Sequence, residues 1–415
     1  DLSAIVYPTL QRRDFSSVYR LSVLLKDPVQ PDILQQAVDI AMKRFPTYHS
    51  AMRKGFFWRY LEPNTRPGPF VKPDIRNFCI PMPFKSNNRY LVRFYWYDRR
   101  ISLEAHHSLG DGTGGMYLLQ TVTAVYLRLL GHEISNGGFV LDVNETPDPE
   151  EFEDAYMRYA NARVCPPRPA EKTYRVRGTK EPFYTLNVID GIMSVSAVQK
   201  VAKQYQASIT EYLNAVLLYS LLQKQEHDFH LRLRPVRIAM PVNLRRFFPS
   251  KTLRNFITMV YPSIDPRLGD YTFEEIVTQV HHYMRYYINS KFLRGDITTN
   301  ASTQRNPLIR IVPLFLKDFV VRQFYQRVQD KNSSAGLTNM GAIRVPDDMK
   351  PYLERFDIYM GIPYSQRTNC AIVSFEDTLT VNFASCIIEA DVERRFFQKL
   401  VEDGIPVTIE SNREL

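Results

Sequence analysis

Two adjacent histidines, His106 and His107, are followed four residues past the second by an acid, Asp111, and then by Gly112. A neutral imidazole can take the proton of a hydroxyl or amine as that group attacks a carbonyl, provided the ring is held in one tautomer. The same side chains also carry the donor atoms of a zinc or iron site. Their setting separates the two chemistries. From Tyr90 to Tyr97, Val92, Phe94 and Trp96 alternate with Leu91, Arg93, Tyr95 and Tyr97, which is the period of a strand. Asp98-Arg99-Arg100 suits a turn, and Ile101 to Ala105 return as the second strand of a hairpin. Successive strand side chains point to opposite faces. One histidine is therefore expected to face a cavity while the other packs or hydrogen-bonds. Diverging histidines are poorly placed to share a metal ion, and His49, His132, His227, His230 and the pair His281-His282 are scattered. No metal is expected. The other alternative is a pair of ordinary packed or surface histidines, and the strand–turn–helix setting counts against it.

The elements around this turn are legible in outline. After Gly112, with Gly114 and Gly115 following, Thr113 to Gly131 reads as a helix, its stripe Met116, Leu119, Val122, Tyr126 and Leu129 docking it beneath the strand. Upstream, Val18 to Leu25 reads as a strand, Pro31 to Phe45 as a helix and Phe57 to Leu61 as a short strand. Residues 144–182 are acidic, then proline-rich at Cys165-Pro-Pro-Arg-Pro169, and read as a crossover. The expected division is an N-terminal lobe over 1–145, a linker over 146–182 and a C-terminal lobe over 183–415. The second lobe opens with a strand near Phe183–Ile189. Helices follow at Ser196–Tyr205, Tyr212–Leu222, to about Ile288, and from Pro307 to Val328 with a break at Pro313; the last is at Glu393–Val401. Ser208 with Glu211 and Thr272 with Glu275 form capping-box patterns. Arg237–Pro241, Ala371–Phe375 and Thr378–Ser385 read as strands. Helices and strands alternate in both halves, so the fold class is α/β, built as two-layer lobes.

The chain has 415 residues, 44% hydrophobic and 23% charged, which suits a two-lobed globular enzyme. A net charge of +9 fits coenzyme A phosphates, an acidic carrier protein or an anionic surface, and equally a generally basic exterior. No dense basic run or nucleic-acid motif is present, and no nucleic-acid partner is expected. Cys79, Cys165, Cys370 and Cys386 have neither ligand spacing nor the density of a disulfide scaffold, so reduced thiols in a cytoplasm are expected. No run of about 18 apolar residues exists to span a membrane.

The pattern His-His-x-x-x-Asp-Gly at 106–112 resembles the signature of the CoA-dependent acyltransferase superfamily, which includes chloramphenicol acetyltransferase, condensation domains of peptide synthetases and alcohol O-acetyltransferases. Other stretches resemble its bacterial alcohol acetyltransferase-like branch: Lys43-Arg-Phe-Pro46, Gly55 to Leu61, Met240-Pro-Val-Asn-Leu-Arg245, Thr252-Leu-Arg-Asn-Phe256 and Leu337-Thr-Asn-Met-Gly341. The Asp-Phe-Gly-Trp-Gly motif of the plant-type branch is absent. The resemblance implies two chloramphenicol-acetyltransferase-like lobes with a tunnel between them. It implies transfer of an acyl, foremost acetyl, group from a thioester to an alcohol or amine by a stand-alone, monomeric enzyme. Acyl-CoA is the expected co-substrate, and no permanently bound cofactor is expected. A condensation-type enzyme using an acyl carrier protein, or a non-catalytic binding member, is the alternative. By resemblance His107 is the base, His106 faces away and buttresses the loop, and Asp111 holds the loop by pairing with Arg245 or Arg254, Arg245 preferred. Thr338 or Asn339 would supply the oxyanion donor, against a simple turn at 338–341.

Overall fold

In the computed structural model the described residues are 3–11, 16–137, 139–161, 171–182, 185–228, 232–327, 332–361 and 366–413. The stretch around Cys165 and the start of the strand expected at Phe183 lie outside them. The N-terminal half supplies α1 (Ser3–Leu10), β1 (Val18–Leu25), α2 (Pro31–Ala41), β2 (Ser50–Lys54), β3 (Arg59–Pro63), β4 (Val71–Pro73), β5 (Val92–Tyr97), β6 (Arg100–His106), α3 (Gly112–Leu129) and α4 (Ala155–Tyr159). The C-terminal half begins with β7 (Asn187–Ser194), α5 (Val195–Gln204), α6 (Ile209–His227), β8 (Val236–Asn243), β9 (Ile257–Val260) and β10 (Ser263–Ile264). It continues with α7 (Phe273–Tyr287), α8 (Ser290–Arg305), α9 (Pro307–Arg310), α10 (Leu314–Arg327), β11 (Ala335–Ala342), β12 (Leu353–Met360), β13 (Thr368–Phe375), β14 (Thr378–Ser385), α11 (Asp391–Glu402) and β15 (Thr408–Ser411).

Local chemistry explains many of these boundaries. The β5–β6 hairpin closes through Asp98, whose φ of 46° is the left-handed conformation such tight turns require. Both capping boxes form: Ser208 with Glu211 opens α6, and Thr272 with Glu275 opens α7. Pro313 separates α9 from α10, since it can neither donate to the helix ladder nor let the preceding residue stay helical. Of the stripe on α3, Met116, Leu119, Val122 and Tyr126 are buried, whereas Leu129 at the last turn is exposed.

The N-terminal sheet runs β12-β1-β6-β5-β4, with α2 and α3 contributing to the same apolar core. β1 lies between β12 and β6 and is buried along its whole length, so its one charged residue needs counter-charges. Arg20 finds them in Asp74 and Glu104, and its guanidinium lies 4.6 Å over the Phe78 ring. The C-terminal sheet runs β10-β8-β11-β13-β14-β7-β15, with β9 paired to β8. β11 is parallel to both β8 and β13. Residues from α5, α6, α7 and α11 complete its core.

The two halves of the chain interleave. β12, from the stretch expected to belong wholly to the C-terminal lobe, pairs with β1 in the N-terminal sheet, Leu21 opposite Ile358. Beside this crossing, buried Asp190 on β7 accepts from Tyr359 Oη at 2.8 Å and Asn382 Nδ2 at 2.9 Å. Burial first, and the neighbouring Asp357 charge second, push its pKa well above the aspartate range. In the stretch read as a linker or crossover, buried Glu151 receives both guanidinium nitrogens of Arg44, at 2.6 and 2.8 Å.

Candidate active site

β6 ends at His106 and α3 starts at Gly112, so the motif forms the turn between them. Asp111 is the N-cap of α3. Its Oδ1 accepts from the amides of Thr113 (3.1 Å) and Gly114 (3.2 Å), two of the donors a helix start leaves free. Its Oδ2 accepts from Arg245 Nη1 at 2.8 Å and from the Phe256 amide at 2.9 Å. Arg245 is itself fixed, donating through Nε to the Thr252 carbonyl and through Nη2 to the Arg254 carbonyl. Arg254 thus meets this cluster through its backbone, not its side chain. Asp111 faces neither histidine ring as a hydrogen-bond partner; it ties the motif turn to the 243–256 segment.

The glycines of the turn are required by close approach. A Cβ on Gly110 would lie 2.5 Å from the Leu253 carbonyl oxygen, and one on Gly114 only 2.0 Å from it. Any larger residue at either position would push the motif turn off that segment. A Cβ on Gly112 would meet the Met340 sulfur of β11 at 3.0 Å.

The histidines diverge, as alternation along a strand requires. His106 is fully buried. Its Nδ1 accepts from the Ser108 amide at 3.2 Å and lies 2.8 Å from Ser108 Oγ, while Phe84 packs edge-on to the ring. Burial, then the His107 charge, push its pKa down to about 3. His107 is half-buried, with its amide donating to the Ser17 carbonyl at 2.8 Å and its carbonyl accepting from Asn255 Nδ2 at 2.7 Å. Tyr7 of α1 stacks on its ring at 4.9 Å, and Tyr19 of β1 leans against it at 4.7 Å. Burial pushes its pKa down to about 4 against partial offsets from the Asp111 charge, Asn255 and the Gly110 peptide. The ring is therefore neutral near pH 7. Nδ1 is buried and has no hydrogen-bond partner among the described residues, as is true of Asn255 Oδ1.

His107 lines a cavity of about 790 Å³ between the lobes. Thr338 and Asn339 of β11 line it from the other side, with Gly112, Thr113 and Asn243. The side chain of Asn339 is occupied: Nδ2 donates to Thr210 Oγ1 at 2.8 Å and Oδ1 accepts from the Gly341 amide at 2.7 Å. The Thr338 hydroxyl makes no hydrogen bond among the described residues. Asn243 Nδ2 donates to Thr113 Oγ1 at 3.1 Å and joins the lobes across the cavity. Apolar residues of the lining include Met240, Val242, Met259, Met284 and Ile288. Arg246 and Arg285 line it as well and form no ion pair among the described residues.

Of the residues singled out from sequence, His107, Asp111, Gly112, Thr338 and Asn339 line this one cavity, Arg245 stands behind Asp111, and His106 points away. Sequence reading missed Tyr7, Tyr19, Asn255 and Thr210. Asn255 falls within the quoted 252–256 stretch, yet nothing local marks it as the partner of His107. Among the described residues no group of three or more His, Cys, Asp or Glu side chains could hold a metal ion. Cys79 and Cys370 are buried, and burial pushes both thiols far up.

No family model and no curated protein sequence matches the chain. Solved structures do. The first condensation domain of the calcium-dependent antibiotic synthetase aligns with TM-score 0.59 at 14% identity, covering 98% of this chain and 97% of that one. Polyketide synthase associated protein 5 from Mycobacterium tuberculosis aligns with TM-score 0.56 at 13% identity, covering 92% of each chain. The wax ester synthase/diacylglycerol acyltransferase from Marinobacter aquaeolei aligns with TM-score 0.53 at 13% identity, covering 96% and 98%. The chain has the two-lobed fold of the condensation and acyltransferase proteins. No helix among the described residues is long and apolar enough to cross a membrane.

Proposed function

We propose that this chain is an acyltransferase that moves an acyl group from a thioester to an alcohol or amine bound in the cavity between its lobes. The observation that carries the proposal is His107: a neutral, half-buried imidazole at the cavity wall, held between two tyrosine rings, with Nδ1 turned into the protein. Nε2 is then the nitrogen left for substrate. The acceptor oxygen or nitrogen attacks the thioester carbonyl carbon as its proton passes to Nε2. The C–S bond breaks, and the departing thiolate takes that proton back. The Thr338 hydroxyl, unengaged at the same cavity, is the donor for the oxyanion; the Asn339 amide is already committed to Thr210. Asn255 orients the base through the His107 carbonyl.

The donor in this proposal is acyl-CoA in the cytoplasm. Arg246 and Arg285, which line the cavity and form no ion pair among the described residues, suit the coenzyme phosphates. The test is thiol release and mass-detected product from acyl-CoAs of different chain length, and from the same acyl groups on a carrier protein, against mixed alcohols and amines. Turnover from acyl-CoA supports the proposal. Turnover only from the carrier-bound thioester would replace CoA by the carrier, and no product from any donor would leave the chain a binding protein.

A further inference from the structure

A large exposed apolar face lies outside the cavity. On α10, Phe315, Leu316, Phe319 and Val320 all point outward, Phe315 at 67% and Phe319 at 63% exposure. At about 100° per residue they cover an arc of about 140°. Ile311 continues the face before the helix, and the exposed Phe56–Phe57 pair adjoins it, because the Phe56 carbonyl accepts from the Leu314 amide at 2.8 Å. An amphipathic helix normally turns such a stripe inward, and monomers rarely leave so large a contiguous apolar patch without a use for it. Here the packed side carries a lysine and an aspartate beside buried Leu314. Lys317 is buried, its Nζ 3.6 Å over the Trp58 ring and donating to the Phe57 carbonyl, and Asp318 receives the Arg59 guanidinium. The helix is thus clamped with its apolar side out.

The segment that carries this face is mostly basic. Residues 290–327 contain seven Lys and Arg against two Asp. Both acids are turned inward, Asp318 to Arg59 and buried Asp296 to Thr258. Exposed Arg310 and Arg322 flank the phenylalanines and form no ion pair among the described residues. An apolar strip with a cationic rim matches the boundary between anionic headgroups and acyl chains. A second copy of this chain would bring the same positive charges against themselves. α10 also packs on α1, where Thr9 donates to Asp318 at 2.7 Å, and α1 carries the Tyr7 that stacks on His107.

We propose that the face formed by α10, Ile311 and the Phe56–Phe57 loop seats the protein on an anionic lipid bilayer, with α1 between the bilayer and the cavity. The proposal stands apart from the transfer chemistry, and its test needs no activity. The full chain is floated with vesicles of phosphatidylcholine alone and of phosphatidylcholine mixed with phosphatidylglycerol. It should float with the mixed vesicles and release as salt is raised. Phe315→Ser/Phe319→Ser should lower partition at least about tenfold, and Arg310→Gln/Arg322→Gln about tenfold on anionic vesicles alone. The arginine pair carries the same test if the serine pair folds poorly, since both arginines are exposed. Failure of the wild type to float with anionic vesicles overturns the proposal. So does a partition that neither double variant changes, or light scattering that finds a wild-type dimer which the serine pair dissolves to monomer.

Discussion

Removing the Asp111 carboxylate should loosen the joint between the lobes before it touches the chemistry. The side chain accepts four hydrogen bonds, two that cap α3 and two that hold Arg245 and the Phe256 amide. Loss of an N-cap costs about 1 kcal/mol. Stripping a buried guanidinium of its partner costs about 3–5 kcal/mol, and Arg245 is only 13% exposed. The two losses share one side chain, so about 3–5 kcal/mol is the expected total for Asp111→Ala. At about 2.1 cal/mol/K of unfolding entropy per residue, that is a fall in Tm of about 3–6 °C for 415 residues. Asp111→Asn should rescue little, because its oxygen can keep the cap while its amide then faces the donors of Arg245 and Phe256. The assay is a thermal-melt cycle of Asp111→Ala, Arg245→Met and the double variant. The double should lose less than the sum of the singles, since it leaves no orphaned charge. Arg254→Met should show no such coupling to Asp111. Additive losses, or an Asp111→Ala protein that melts with the wild type, would refute the assignment of Asp111 as the tie between the motif turn and the 243–256 segment.

Three further outcomes are expected. The acid limb of kcat/KM should lie below pH 6, because burial holds His107 near about 4 instead of the ordinary histidine range; a limb at or above pH 6.5 contradicts the environment given to the base. Thr338→Val should lower kcat about 10²-fold with an unchanged melting curve, and a near-normal kcat would remove the hydroxyl from the oxyanion role. The folded state raises the pKa of Asp190, so it favours the protonated form, and this residue's contribution to stability falls as pH rises above the ordinary aspartate range. Asp190→Asn should therefore gain on the wild type in urea midpoint between pH 5 and pH 8; a constant difference would show that Asp190 does not titrate there.

What could be read from sequence is what short-range physics encodes. The β5–β6 hairpin, both capping boxes, the break at Pro313 and the glycine-rich entry to α3 each depend on residues a few positions apart. Long-range pairing leaves no such mark. β12 lies more than 300 residues from β1, and nothing within it specifies β1 as its partner. β7 runs five residues beyond the end expected for it, through Asp190 and Gly191, because partners on both sides complete its ladder. The same limit applies at the site. Arg245 and Arg254 are indistinguishable locally as partners for Asp111, and only the fold, by turning the Arg254 carbonyl toward Arg245, separates them. Tyr7 reaches His107 from far away in the sequence, in a short helix whose sequence carries no mark of that contact.

The central claim is that His107 accepts the proton of the acceptor during acyl transfer. The most direct measurement is single-turnover transfer by His107→Ala, on a donor and acceptor the wild type has been shown to use. General-base loss should slow the step by about 100-fold or more, with the melting curve kept and His106→Ala lowering stability in contrast. A His107→Ala protein that transfers the acyl group at close to the wild-type rate would contradict the account.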